Sequence, residues 1–279
     1  MKVIEAQGLS YTYADGSDAL KGVNLAVEEG DFIGILGANG SGKTTLLQCL
    51  DGIIRNFKGF VFIEGKDVKK LSPREIYSRM GLVFQNPDDQ LFAGTLIEDV
   101  AFGPTNMGFN KEEVAARVEQ ALSDVELDGL AGKSIHHLSF GQKKRACIAG
   151  LLAMGHRILL MDEPTAGLDP MGEYKMMKLL KKLNSNGNTT ILMATHSVDL
   201  VPLFLNNLVI LSRGRIHRQG TPEQVFNAPE EMDSVKLRLP QIAELIHKLK
   251  HKDGISFDRI PLTVGEARRE LIKRFVKQV

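Results

Sequence analysis

Two rhythms of apolar positions run along this chain. Short runs, some with no polar break, recur between glycine-rich turns, and longer stretches repeat their apolar positions at helical spacing. The short runs are Val3–Ala6, Ala19–Val27, Asp31–Leu36, Phe60–Ile63, Met80–Phe84, Ile158–Met161, Thr189–Ala194 and Leu208–Leu211. Turns at Ala14-Asp15-Gly16-Ser17 and Glu28-Glu29-Gly30 separate the first three, and Arg213-Gly214 folds Leu208–Leu211 onto Arg215–Arg218 as a hairpin. The unbroken run Ile158–Met161 predicts a central parallel strand, because only a strand covered on both faces drops its polar alternation. Helices are predicted at Pro73 (Ser72 as N-cap), over about 95–107, over 111–125, from Leu138 to Met154, over 171–183 and over 197–204. In the third of these, Val114, Val118, Ala121, Leu122 and Val125 mark one face.

The pattern changes after Gly220-Thr221-Pro222. Two amphipathic helices follow, Pro240–Lys250 and Val264–Lys277. The expected organisation is an α/β domain over 1–227, with an antiparallel β subdomain at its N-terminus and a helical insertion at about 86–155. A small helical tail over 228–279 completes it.

Composition adds limits. Apolar residues at 43% and charged residues at 25% are those of an ordinary globular chain, and the net charge of +1 gives no reason to expect a nucleic-acid partner. No apolar run reaches the ~18–20 residues of a membrane helix, since the longest candidate, Cys147–Met161, is broken by Gly155-His156-Arg157. The N-terminus shows no signal-peptide core, so a cytosolic chain is expected, with any membrane role peripheral. Cys49 and Cys147 lie far apart in apolar helical surroundings, which reads as two buried thiols in a reducing compartment.

Candidate chemistry centres on Gly37-Ala38-Asn39-Gly40-Ser41-Gly42-Lys43-Thr44-Thr45, between the apolar run ending at Leu36 and the helical Leu46-Leu47-Gln48-Cys49-Leu50. Strand, glycine-rich turn and helix with this spacing make a phosphate-binding P-loop. Glycines let backbone N–H groups close around phosphate oxygens at a helix N-terminus. Lys43 supplies charge for the β and γ phosphates, and the Thr44 hydroxyl is placed to ligand Mg²⁺. The run Ile158–Met161 ends in Asp162 and Glu163, which alternation would point to opposite sides of the strand: Asp162 toward hydrated Mg²⁺, Glu163 toward the attacking water. His196 closes the strand Thr189–Ala194 at the same sheet edge and reads as a γ-phosphate sensor. Tyr11 and Tyr13 each offer a ring to adenine. His136, His137, His156 and His217 read as surface or structural. His247 and His251, one helical turn apart, lack a third metal ligand, and Arg268, Arg269, Lys273, Arg274 and Lys277 read as a solvated basic face.

Together these pieces resemble the ATPases of ABC transporters, in order from about residue 3 to 227. The resemblance implies ATP and Mg²⁺ as cofactors, with Gly37–Thr45 as Walker A and Tyr13 as the adenine-stacking aromatic. Gln85 is the Q-loop glutamine touching Mg²⁺ and water, and Ile158–Glu163 is Walker B with its catalytic glutamate. Leu138-Ser139-Phe140-Gly141-Gln142 is the signature motif, Ala166-Gly167-Leu168-Asp169 the D-loop, and His196 the switch histidine. Phe140 replaces the usual first signature glycine, while Ser139, Gly141 and Gln142 are kept. The stretches Gly81–Phe92 and Glu98–Pro104 resemble the energy-coupling-factor branch, and Leu138–Arg145 with Thr195–Pro202 and the helical tail look most like its cobalt or nickel importers.

One copy of each motif implies pairing with a second copy or a paralogue, two ATPs being held between Walker A of one subunit and the signature of the other. The family also implies integral membrane subunits docking near Gln85–Phe92, at the cytoplasmic face of the membrane. A vitamin importer of the same branch is the alternative. A soluble ABC-type ATPase acting on DNA or ribosomes is a remote one, because the Phe92–Leu138 interval is too short for a coiled-coil arm.

Overall fold

Each unbroken apolar run becomes a strand that feeds two cores at once. In the computed structural model, which describes residues 1–187, 189–257 and 259–275, Ile158 and Leu160 point into one apolar cluster while Leu159 and Met161 point into another. Leu192 and Ala194 divide from Ile191 and Met193 in the same way. That division is why these runs lack polar positions.

In chain order the strands are β1 (Lys2–Thr12), β2 (Asp18–Glu28), β3 (Phe32–Leu36), β4 (Lys58–Ile63), β5 (Lys66–Asp67) and β6 (Met80–Val83). After them come β7 (Ile158–Asp162), β8 (Thr190–Thr195), β9 (Asn207–Ser212) and β10 (Arg215–Gly220). Among the described residues they form two sheets. One is antiparallel in the order β2-β1-β4-β5; the other runs β10-β9-β3-β8-β7-β6 and is parallel except for the β9–β10 hairpin. The antiparallel sheet alternates, as in β2, where Leu20, Val23, Leu25 and Val27 are buried. Those residues close the second cluster over Leu46, Leu47, Cys49 and Leu50 of the helix that follows the P-loop. Both cysteines are buried free thiols, as expected.

The helices are α1 (Lys43–Leu50), α2 (Pro73–Tyr77), α3 (Leu96–Met107), α4 (Lys111–Asp124), α5 (Phe140–Ala153) and α6 (Pro170–Gly187). Beyond them lie α7 (Val201–Phe204), α8 (Pro222–Phe226), α9 (Pro229–Ser234), α10 (Gln241–His251) and α11 (Val264–Phe275). Helices α3, α4 and α5 pack on one another as the expected helical insertion, with Val100, Val118, Leu122 and Cys147 in the first cluster.

Two details differ from the sequence pattern. The helix expected over 197–204 forms only from Val201, because Thr195 Oγ1 accepts from Ser197 N and bends the chain at the strand end. The short helices α8 and α9 escape periodicity but carry start signals: Thr221 and Gln224 cap α8 reciprocally, and each has proline in its first turn. Lys277, expected in the last helix, lies outside the described residues.

The chain after 227 continues the first cluster with Met232, Val235, Leu237, Ala243 and Leu262. Ile246, Phe257 and Ala267 form a small core between the last two helices. Among the described residues no helix is long and apolar enough to cross a membrane.

Candidate functional site

Strand β3 delivers the loop 37–42 to the carboxyl edge of the parallel sheet, where ligands of open α/β sheets bind. The loop needs its glycines. A Cβ on Gly37 would stand 2.4 Å from both the Leu211 carbonyl and Ser41 Oγ, and Gly42, in left-handed conformation as N-cap of α1, would put one 2.6 Å from the Ala19 carbonyl. The first backbone bond into α1 runs from Leu46 N to Gly42 O. That leaves the N–H groups of Lys43, Thr44 and Thr45 for a ligand, at the positive end of the helix.

Lys43 is 6% exposed, and its Nζ donates to the Gly37 carbonyl at 2.8 Å and the Ala38 carbonyl at 3.3 Å. Ser41 Oγ is buried without a partner. An arriving phosphate oxygen would meet a lysine folded across its own loop and a hydroxyl in need of an acceptor, so the residues fit a nucleotide phosphate.

The carboxylates come from the neighbouring strand edges. Thr44 Oγ1 donates to Asp162 Oδ2 at 2.7 Å, while Asp162 Oδ1 is buried with no partner. Burial pushes the Asp162 carboxyl up; the Thr44 hydroxyl opposes the shift and Glu163 adds to it. A hydroxyl touching a carboxylate whose second oxygen is orphaned suits a hydrated divalent cation such as Mg²⁺, which would satisfy both. Strand alternation does not separate Asp162 from Glu163. Strand β7 ends at Asp162, and Glu163 turns into left-handed conformation at φ 49, so both side chains meet the P-loop rather than opposite faces. Glu163 Oε1 lies 3.8 Å from Lys43 Nζ, and its Oε2 lies 2.8 Å from His196 Nδ1.

A cleft of about 440 Å³ is lined by Asn39, Gly40, Ser41, Gly42, Lys43, Thr44, Thr45, Gln85, Glu163, Ala166 and His196. Residues from positions as far apart as 39 and 196 thus share one wall. A surface cavity of about 510 Å³ beside His217 brings together the cations Lys21, Arg213 and Arg215 but no catalytic pairing. Tyr13 stands beside the loop with its hydroxyl 2.7 Å from Thr45 Oγ1. Tyr13 is 41% exposed, and its ring and that of Tyr11 meet at nearly a right angle, centroids 5.0 Å apart. Of the two tyrosines, Tyr13 offers the open face.

Ser139, Gly141, Gln142 and Asp169 do not line this cleft. Ser139 and Gln142 cap α5 reciprocally, and Asp169 accepts from Gly172 N at the start of α6. Phe140 packs on the loop after Glu163, where a Cβ on Gly167 would meet its ring at 2.8 Å. Sequence reasoning missed Lys144, which is 1% exposed. The signal was present: Lys144, Cys147, Ile148 and Leu151 share one helical face, and the other three are apolar. His156 is buried and bonded to the Tyr77 carbonyl, a structural role. The rings of His247 and His251 lie tilted with centroids 4.2 Å apart, with no cluster of three metal-binding side chains among the described residues.

With this geometry in hand, the ABC transporter family profile matches residues 20–166, just over half of the chain. The chain belongs to the ABC transporter family. The energy-coupling factor transporter ATP-binding protein EcfA of Methanocaldococcus jannaschii is 48% identical over 274 residues, 98% of each chain. The solved structure of cbiO1 from Clostridium perfringens, described as part of the ABC transporter complex cbiONQ, superposes with a TM-score of 0.77 at 41% identity. It covers 88% of this chain and 99% of that one. An ATP-binding cassette solved as a dimer in a post-hydrolysis state with ADP and Pi gives 0.71 at 31% identity, covering 78% and 98%. The expected ABC ATPase fold, with its antiparallel N-terminal sheet and helical tail, is therefore present, and the chain is an ATP-hydrolysing member of its family.

Proposed function

We propose that this ABC ATPase is the ATP-binding and hydrolysing subunit of an energy-coupling-factor importer, driving uptake of cobalt or nickel ions across the cytoplasmic membrane. It works at the cytoplasmic face as a homodimer or with a paralogue. The observation that carries the reading is a division within one chain. Lys43, Gln85, Glu163 and His196 converge on one cleft, while Ser139 and Gly141 stand outside it. A second subunit supplies them.

In that arrangement Tyr13 stacks on adenine, and the open N–H groups of Gly40, Gly42, Lys43, Thr44 and Thr45, with Asn39 and Ser41 beside them, cradle the phosphates. Thr44, Asp162 and Gln85 would hold Mg²⁺, which would supply positive charge against the phosphates. Glu163 accepts the proton of the attacking water, held in place by Lys43 and His196; His196 senses the γ-phosphate from the same edge. The partner's signature serine and glycine close over that phosphate, so its departure removes the link between subunits.

The membrane subunits dock beside Gln85–Phe92. Phe92 and Phe102, 65% and 52% exposed, meet edge-on at 4.7 Å, and Asp99 fixes the Phe92 and Ala93 N–H groups beneath them. An exposed aromatic pair beside a nucleotide site suits a helix of an integral partner. Residues 81–92 and 98–104 support the energy-coupling-factor branch, and the choice of cobalt or nickel rests on the resemblance of 138–145, 195–202 and the two-helix tail.

The test is Glu163→Gln. It should still bind MgATP, lose about 10²–10⁴-fold in turnover and accumulate as an ATP-bound dimer by size exclusion. Near-normal turnover would remove Glu163 from the base role.

A further inference from the structure

Among the described residues Lys144 is the most deeply buried charged side chain, at 1% exposed, and the ATPase function proposed above gives it no task. It stands in the first turns of α5, behind Ser139 and Gly141, on the face that carries Cys147 and Ile148 into the core. Its Nζ reaches across to donate to the backbone carbonyl of Glu163 at 2.8 Å, in a buried setting. The ring of Phe140 covers the ammonium at 5.3 Å. Lys143, the residue before it, points the other way and meets Asp88 on the surface at 2.6 Å. Stripping an ammonium of water is costly, and an uncharged side chain would fill the same space.

What the lysine holds is an unusual piece of backbone. Glu163 sits at φ 49, a left-handed conformation disfavoured for any residue with a Cβ. Its N–H donates to the Ala194 carbonyl at 3.0 Å, and its carbonyl accepts from Ala166 N at 3.1 Å as well as from Lys144. That turned backbone directs the carboxylate back to Lys43 and His196 instead of onward along the strand.

We propose that Lys144 is a positioning residue for Glu163: its ammonium clamps the Glu163 carbonyl and fixes where the catalytic carboxylate stands. The clamp also runs from the helix whose first turn completes the partner's ATP site to the carboxylate of this subunit's own site. It rests on the reading of Glu163 as the base.

The full-length chain is compared with Lys144→Met, which keeps length and loses the donor, and Lys144→Gln, which keeps an N–H donor without the charge. Lys144→Met should lower kcat by about 10–100-fold, the scale of a misplaced catalytic group, with MgATP Kd within about twofold by fluorescent-nucleotide titration. Lys144→Gln should recover most of that loss. Combined with Glu163→Gln, Lys144→Met should cause no further fall, because the group it positions is already gone. Normal kcat in Lys144→Met, a parallel loss of nucleotide affinity, or a loss that multiplies that of Glu163→Gln would each overturn the proposal. Should Lys144→Met fail to fold, Lys144→Leu, which likewise lacks a donor, takes its place in the same cycle. If Glu163→Gln itself turns over normally, the base assignment falls first; if Glu163→Gln is inactive and Lys144→Met is normal, the clamp alone falls.

Discussion

At the scale of single residues, the adenine role proposed for Tyr13 can be separated from the contact it makes in this structure. In this structure its hydroxyl bonds Thr45 beside the P-loop, yet its ring keeps an open face. The two features separate by mutation. Tyr13→Ala removes the stacking face and should raise the ATP Kd about ten- to a hundredfold. Tyr13→Phe keeps the ring and should bind within a few-fold of the parent. Isothermal titration with both variants reads this directly, and a large loss in Tyr13→Phe would move the role from the ring to the hydroxyl. Tyr11, half-buried against the second core cluster, lacks the open face.

The element scale is clearest at α5. Its first turn is a reciprocal cap: Ser139 Oγ accepts from Gln142 N at 3.3 Å, and Gln142 Oε1 accepts from Ser139 N at 2.9 Å. The residues proposed to meet a partner's γ-phosphate therefore also start their own helix. An aspartate caps a helix about as well as serine, whereas alanine costs about 1 kcal/mol. Ser139→Asp should thus keep the urea midpoint near the parent value while abolishing ATP-driven dimerisation, because its charge would face phosphate. Ser139→Ala should lose both. A dimer that survives in Ser139→Asp would leave Ser139 with capping alone.

For the whole molecule, the tail is part of the load. Met232, Val235, Leu237 and Leu262 share the core of the parallel sheet, Arg218 pairs with Glu231 at 2.7 Å, and Asp199 accepts from Gln241 N at 2.8 Å three residues beyond His196. Fully burying one such apolar side chain contributes about 1.5–3 kcal/mol. A chain ending at 227 should therefore melt roughly 10 °C or more below the parent, taking about 2–4 °C per kcal/mol for a chain of this size. Calorimetry on the two lengths checks it, and an unchanged melting point would show a tail that merely rests on the ATPase body.

The P-loop was legible in the sequence because its chemistry is local: glycines, Lys43 and Thr44 act within one strand–turn–helix. The parallel strands were legible too, since double burial writes an unbroken apolar run. Asp162 and Glu163 were visible as a pair, yet alternation gave them the wrong separation, because a left-handed turn at Glu163 is set by bonds to Ala166, Lys144 and Ala194 rather than by its neighbours in sequence. Lys144 reads in the sequence as one basic residue among three. Only the tertiary structure buries it against the Glu163 carbonyl, because that contact spans 19 positions and depends on how α5 lies against the sheet edge. The sequence by itself determined which groups can hold and cleave a phosphate; the packing of distant elements decided where each one stands.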